Sequence, residues 1–154
     1  MKSVVKKKRL SKADIKNNLN KILWAHGYTW DDAKEELGFR IGVERTWAPA
    51  MEALGVDFSA ITSTADVLGE LYGECRLSEN LKFLLLMKRV RQSEAADKMG
   101  ISLSELSKYI QDIRSPTASS VRAMSRYFDI DPVEMLFGVP EVQFRVTSLT
   151  QKGE

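Results

Sequence analysis

QSEAADKMGISLSELSKYI, residues 92–110, reads as two short helices around a tight turn. Gln92 and Ser93 open the first helix, and the Ser93 hydroxyl is free to cap its orphan amides. Ala96 and Met99 face inward, and Gly100 stands one step past the last apolar residue, where a left-handed residue closes a helix. Ile101 plugs the corner. Ser102 caps a second helix, with Glu105 three residues on as in a capping box. Leu106, Tyr109 and Ile110 form the inner stripe of that helix, which leaves Leu103, Ser104, Ser107 and Lys108 on its outer face. A small residue where the helices cross, a Gly at the turn and an apolar plug bring two helices close in a helix-turn-helix.

The pattern continues on both sides. Leu77, Leu81, Leu84, Leu85 and Val90 supply an earlier helix; downstream come IRSP, a helix through Val121 and Met124 to Phe128, and DIDPVEML as a closing turn. From Leu81 to Leu136 the chain resembles the phage-repressor family, the Cro/repressor or XRE-like five-helix domain, in register through all five helices. Two departures stand out. The family often pairs an Arg in its first helix with a Glu near the end of its recognition helix, and here those positions hold Leu85 and Ile110. Losing one partner of a buried pair costs about 3–5 kcal/mol, whereas replacing both by apolar residues is often neutral, so Leu85 is expected to touch Ile110. Asp112 stands where the family favours Gly, and Asp tolerates a left-handed backbone better than most residues.

With 154 residues, the chain holds one domain or two small ones. Its apolar fraction of 44% and charged fraction of 29% are those of an ordinary globular protein. No apolar run reaches the roughly 18 residues of a membrane span, and MKSVVKKKRL has no apolar region of a signal peptide. Cys75, the one cysteine, excludes an internal disulfide and fits a reducing cytosol, so a cytoplasmic location is expected. It is expected to be a small, buried or half-buried residue. Net charge is only +2, but Lys2, Lys6, Lys7, Lys8, Arg9, Lys12 and Lys16 crowd the N-terminus. Residues 1–10 are read either as a solvated tail or as a basic arm lying along phosphates.

Residues 11–74 read as a small helical domain. Ser11 caps a helix carrying Ile15, Leu19, Ile22 and Leu23 on one face, with Gly27 as its stop. Thr29 caps WDDAKEEL, closed by Gly38. A third helix is expected from about Ile41 through Trp47 to Leu54, with Pro49 disturbing its continuity; GVDFSAITST reads as loop before Ala65–Tyr72 resumes helical spacing. Trp24, Trp30, Trp47 and Phe58 are expected to build the core. The spacing of Thr29, Ala33, Leu37 and Gly38 echoes Gln92, Ala96, Met99 and Gly100, so this region is also readable as a degenerate second helix-turn-helix. Gly73–Arg76 marks the boundary, and residues 77–138 form the repressor-like domain. The run FLLLM, residues 83–87, is too apolar for one buried stripe, so Phe83, Leu86 or Met87 is expected to meet the N-terminal domain. In the tail, residues 139–154, Val142, Phe144 and Val146 alternate with polar residues. That is strand periodicity, expected as an arm pairing across a dimer axis, or else as a tail pinned by Phe144. The expected fold is thus mostly α: a small helical domain, a five-helix repressor-like domain and a short C-terminal strand.

Enzyme signals are lacking. One histidine, His26, offers no His-based triad or multi-histidine metal site, DDAKEE spreads its carboxylates round a helix, and no nucleotide fingerprint occurs; no cofactor or metal is implied. The resemblance implies binding to double-stranded DNA. On that reading Leu103, Ser104, Ser107 and Lys108 reach base edges, with Gln92 at the start of the preceding helix. Lys88, Arg89, Arg91, Arg114, Thr117 and Ser119 meet phosphates. Glu105 would repel phosphate if it pointed outward. The expected function is a sequence-specific, dimeric transcriptional repressor of phage or mobile-element type. The alternative is a protein-interaction module, an antitoxin or inhibitor of another macromolecule, working through the N-terminal domain and the tail.

Overall fold

The computed structural model describes residues 9–139. Most of the basic arm, and the strand expected at Val142, Phe144 and Val146, lie outside the described residues. Among the described residues there are ten α-helices, one 3-10 turn and no strand, and no helix is long and apolar enough to cross a membrane. The chain divides into two units: residues up to Trp24 with Tyr28–Gly73, and Ala25–Gly27 with the residues from Glu74 on.

The first unit contains α1 (Lys12–Ala25), α2 (Trp30–Leu37), a 3-10 turn at Glu44–Thr46, α3 (Trp47–Ala53), α4 (Phe58–Ser63) and α5 (Val67–Tyr72). The Ser11 hydroxyl accepts from the Asp14 amide at 3.2 Å, and Thr29 and Asp32 form a complete capping box on α2. Ile15, Leu19 and Ile22 of α1 bury against Phe39, Trp47, Met51, Ile61 and Val67. Arg9 and Lys12 both reach Glu44, at 3.5 and 3.4 Å, exposed pairs that add little stability.

Three expectations for this unit need correction. Residues 41–43 are not helical: α3 starts at Trp47, which places Pro49 in the first turn, where its missing N–H has no helical partner to lose. Residues 58–63 are helix, not loop. The Asp57 carboxylate accepts from the Ser59 amide at 3.0 Å and starts α4, and buried Asn18 donates to the carbonyls of Ile61 and Thr64 at 2.9 and 2.8 Å to hold its end. Trp30 is not core: it is 56% exposed, and its Nε1 donates to Asn20 Oδ1 at 2.6 Å. Phe39 and Trp47 fill that place instead.

The second unit contains α6 (Leu77–Lys88), α7 (Gln92–Met99), α8 (Leu103–Ile110), α9 (Ala118–Phe128) and α10 (Pro132–Phe137). Leu81, Ala96, Leu106, Val121, Met124 and Met135 are fully or almost fully buried. Buried Asn80 donates to the Met135 carbonyl at 2.7 Å, and the Arg76 amide donates to the Leu136 carbonyl at 2.6 Å, so α10 is laced to the start of α6. Leu85 and Ile110 are both buried and line one recess. Leu86 is 74% exposed and Met87 is also exposed, Phe83 is half-buried, and Leu77, Leu81, Leu84 and Leu85 supply the buried stripe of α6. Cys75 is exposed rather than buried, and partial desolvation of its thiol pushes the pKa up, away from a reactive thiolate.

Candidate nucleic-acid interface

The surface in question is built by α7, the turn after it and α8. Gly100, at φ 76°, ends α7 by donating to the Asp97 carbonyl at 3.2 Å, while Ile101 donates to the Ala96 carbonyl at 3.0 Å. This pair of bonds turns the chain within two residues, and a left-handed Gly makes it without a Cβ penalty. Ser102 then accepts from the Glu105 amide at 3.0 Å and starts α8. Ser93 does not cap α7. The cap position is Arg91, extended and without a side-chain bond, which leaves Ser93 exposed in the first turn.

Leu106, Tyr109 and Ile110 seat α8 on the unit's core. Its opposite face leaves Leu103 48% exposed, Ser104 and Lys108 exposed, and Ser107 half-buried. The Ser107 hydroxyl accepts from Gln111 Nε2 at 2.7 Å, so part of its capacity is already used. Gln92, Arg89, Arg91, Arg114, Thr117 and Ser119 are exposed as well. Gln92 and Arg89 line the same recess as Leu85, Val90 and Ile110. Thr117 accepts from the Ser120 amide at 3.1 Å as the cap of α9. The Lys88 ammonium stands 4.7 Å over the Tyr127 ring, an anchor that leaves the residue exposed.

Glu105 is half-buried, and its carboxylate is held by two hydroxyls. Its carboxylate accepts from the Tyr109 hydroxyl at 2.5 Å and from the Ser120 hydroxyl at 2.9 Å. Those two donors stabilise the charged form and hold the Glu105 carboxyl below the usual carboxylate range, while burial and the neighbouring carboxylate push Tyr109 up. The capping box is therefore half made: Ser102 plays its part, and the Glu105 carboxylate serves α9 instead of returning to Ser102. Tyr109 and Ser120 were absent from the residues expected to matter at this surface. Tyr109, one turn beyond Glu105, was readable as a partner; Ser120, fifteen positions away, was not.

α8 also ends on a left-handed residue that is not glycine. Asp112 adopts φ 59°, donating to the Tyr109 carbonyl at 3.2 Å while Ile113 donates to the Lys108 carbonyl at 2.9 Å. This is the same closing pair as at Gly100, made with a non-glycine residue.

A family model described as helix-turn-helix matches residues 81–135, a little over a third of the chain. Residues 81–135 are a helix-turn-helix of the XRE-like repressor type. The domain is a DNA-binding module of transcription regulators, and α8 is the second helix of its helix-turn-helix. No curated protein and no solved structure matches the chain.

Proposed function

We propose that the protein is a sequence-specific, dimeric transcriptional repressor of phage or mobile-element type, acting in the cytoplasm on double-stranded DNA. The observation that carries this reading is the polarity of α8: Leu106, Tyr109 and Ile110 are buried, Ser104 and Lys108 are exposed, and the helix's acid is held by two hydroxyls. In the major groove Lys108 donates to the acceptor edge of guanine, Ser104 or Ser107 bonds either partner of a pair, and Leu103 packs on a thymine methyl. Gln92 reaches a phosphate or an adjacent base. Lys88, Arg89, Arg91, Arg114, Thr117 and Ser119 fix register on phosphates, with Thr117 doing so beside its cap bond. Two copies related by a two-fold axis place their recognition helices about 34–36 Å apart, one turn of DNA.

Selection of bound sequences from a random DNA pool, with the stoichiometry of the complex, tests the proposal. The expected result is a palindrome bound by two chains, with affinity falling steeply as salt rises. Retention of DNA without sequence preference, together with a stoichiometric protein partner, would instead support an interaction module.

A further inference from the structure

We infer that Glu105 is a positioning residue of the recognition helix, a tether that orients α8 and holds its carboxylate off Lys108. The inference rests on the DNA-reading role proposed for α8. The carboxylate joins two elements: Tyr109 lies one turn along α8, and Ser120 lies in the first turn of α9, where Thr117 caps the helix. The Tyr109 and Ser120 hydroxyl oxygens lie 3.3 Å apart, and with both of their protons given to Glu105 it is the carboxylate that joins the two helices. Tyr109 is 2% exposed and Ser120 5% exposed, which makes these bonds stronger than their surface equivalents.

Untied, the same carboxylate has a different neighbour. Glu105 and Lys108 are three residues apart on one helix, a spacing at which opposite charges pair. A released Glu105 would neutralise Lys108, the one cation on the outer face of α8, and would bring an acid toward phosphate. The tether also fixes the roll of α8. Bidentate or close base contacts depend on that roll, whereas long Lys and Arg side chains reach phosphates through many rotamers. Loss of the tether therefore strikes discrimination between sequences harder than general DNA affinity.

Four proteins test this: wild type, Glu105→Gln, Glu105→Ala and the double variant Tyr109→Phe/Ser120→Ala. Each is measured on the duplex recovered from the random pool and on a scrambled duplex, across a salt series, with folding checked by circular dichroism. Gln keeps an acceptor for both hydroxyls, and its selectivity is expected within about twofold of wild type. Ala removes tether and charge together: selectivity falls by about tenfold, while scrambled-duplex affinity and the salt slope hold or rise. The double variant keeps the charge but frees it, so selectivity falls and scrambled-duplex affinity falls with it. Should wild type select no sequence, the DNA-reading proposal fails and the tether role with it. Should all four proteins share one selectivity on a selected duplex, the tether role fails alone; Glu105→Gln behaving like the double variant would overturn it as well.

Discussion

Two stretches of this chain share a rhythm of cap, inward Ala, inward apolar residue and closing Gly: α2 with its following turn, and α7 with its following turn. The outcomes differ. After Gly100 the chain needs two residues before α8; after Gly38 it runs through Phe39–Val43 and a 3-10 turn before α3. The outer faces differ more. Exposed positions of α3 are Ala48, Pro49, Glu52 and Ala53, which offer no side-chain donor and one acid, while those of α8 include Ser104 and Lys108. A shared spacing thus builds two helical corners, and the donors on the second helix decide which corner suits a nucleic acid.

Emptying the core of the first corner should have the greatest consequence. Trp47 fills the first unit's core and is 2% exposed; Trp47→Ala is expected to cost about 3–5 kcal/mol of stability. Thermal unfolding measures that loss, and DNA binding well below the new midpoint should persist, because no base-reading group resides in α3. Loss of binding in the folded variant would move part of the DNA surface into the first unit. Next comes the second corner's outer face. Lys108→Ala is expected to weaken binding to the selected duplex by about 1–3 kcal/mol, and Arg91→Ala to reduce the salt slope by about one. Placing donors on α3, as Ala48→Ser with Glu52→Lys, is expected to leave selectivity unchanged. Titrations by fluorescence anisotropy in a salt series separate the three results.

What the sequence disclosed followed from local chemistry. Thr29 before WDDAKEEL, Ser102 before LSELSKYI and Gly100 after KM each act within four residues, and each is where the spacing put it. The mostly helical class and the repressor-type helix-turn-helix were legible for the same reason. Features set by distant partners were not. The six residues of α4 give fewer than two turns of periodicity, and the helix is held by Asn18, more than forty positions away. Trp30 looked like core by type, yet Asn20 engages its Nε1 at the surface. Glu105 matched a capping box, but two hydroxyls in a half-buried site outbid the Ser102 amide. The exposure of Leu103, Ser104 and Lys108 is a local property of α8; the duplex they would meet is not written in one chain.

The caps of the two corners also differ. Thr29 and Asp32 serve each other, so Thr29→Ala and Asp32→Ala each cost about 1 kcal/mol and couple by about 0.5 kcal/mol or more in a double-mutant cycle. Ser102→Ala costs a similar amount, but it should couple weakly to Glu105→Ala, because Ser102 holds the Glu105 amide and not its carboxylate. Acid titration gives an independent reading. The folded Glu105 has a pKa below its ordinary 4.5, so its contribution is complete above that value and is lost as pH falls through the lower folded one. Glu105→Gln should flatten that part of the stability profile relative to wild type. A profile unchanged by the substitution would mean that the two hydroxyls do not favour the charged form.

The smallest effects concern backbone strain, where the two units part again. Left-handed positions at Gly38, Gly55 and Gly73 are all glycine, whereas the second unit also places Arg89, Asp112 and Asp129 there, at φ 57°, 59° and 53°. A left-handed backbone costs an L-residue about 1–2 kcal/mol, less for Asp, and glycine recovers part of this after its own entropy cost. Arg89→Gly is therefore expected to stabilise by about 1 kcal/mol or less, and Asp112→Gly by a few tenths. The two should diverge on DNA. Removing Arg89 takes away a proposed phosphate contact and lowers the salt slope, whereas Asp112→Gly removes an acid just beyond α8 and should leave binding equal or slightly tighter. If Arg89→Gly gains stability and loses no affinity, the strain at Arg89 serves no contact with DNA; if it loses both, the left-handed turn depends on more of the Arg side chain than its backbone bonds to Leu86 and Leu85 account for.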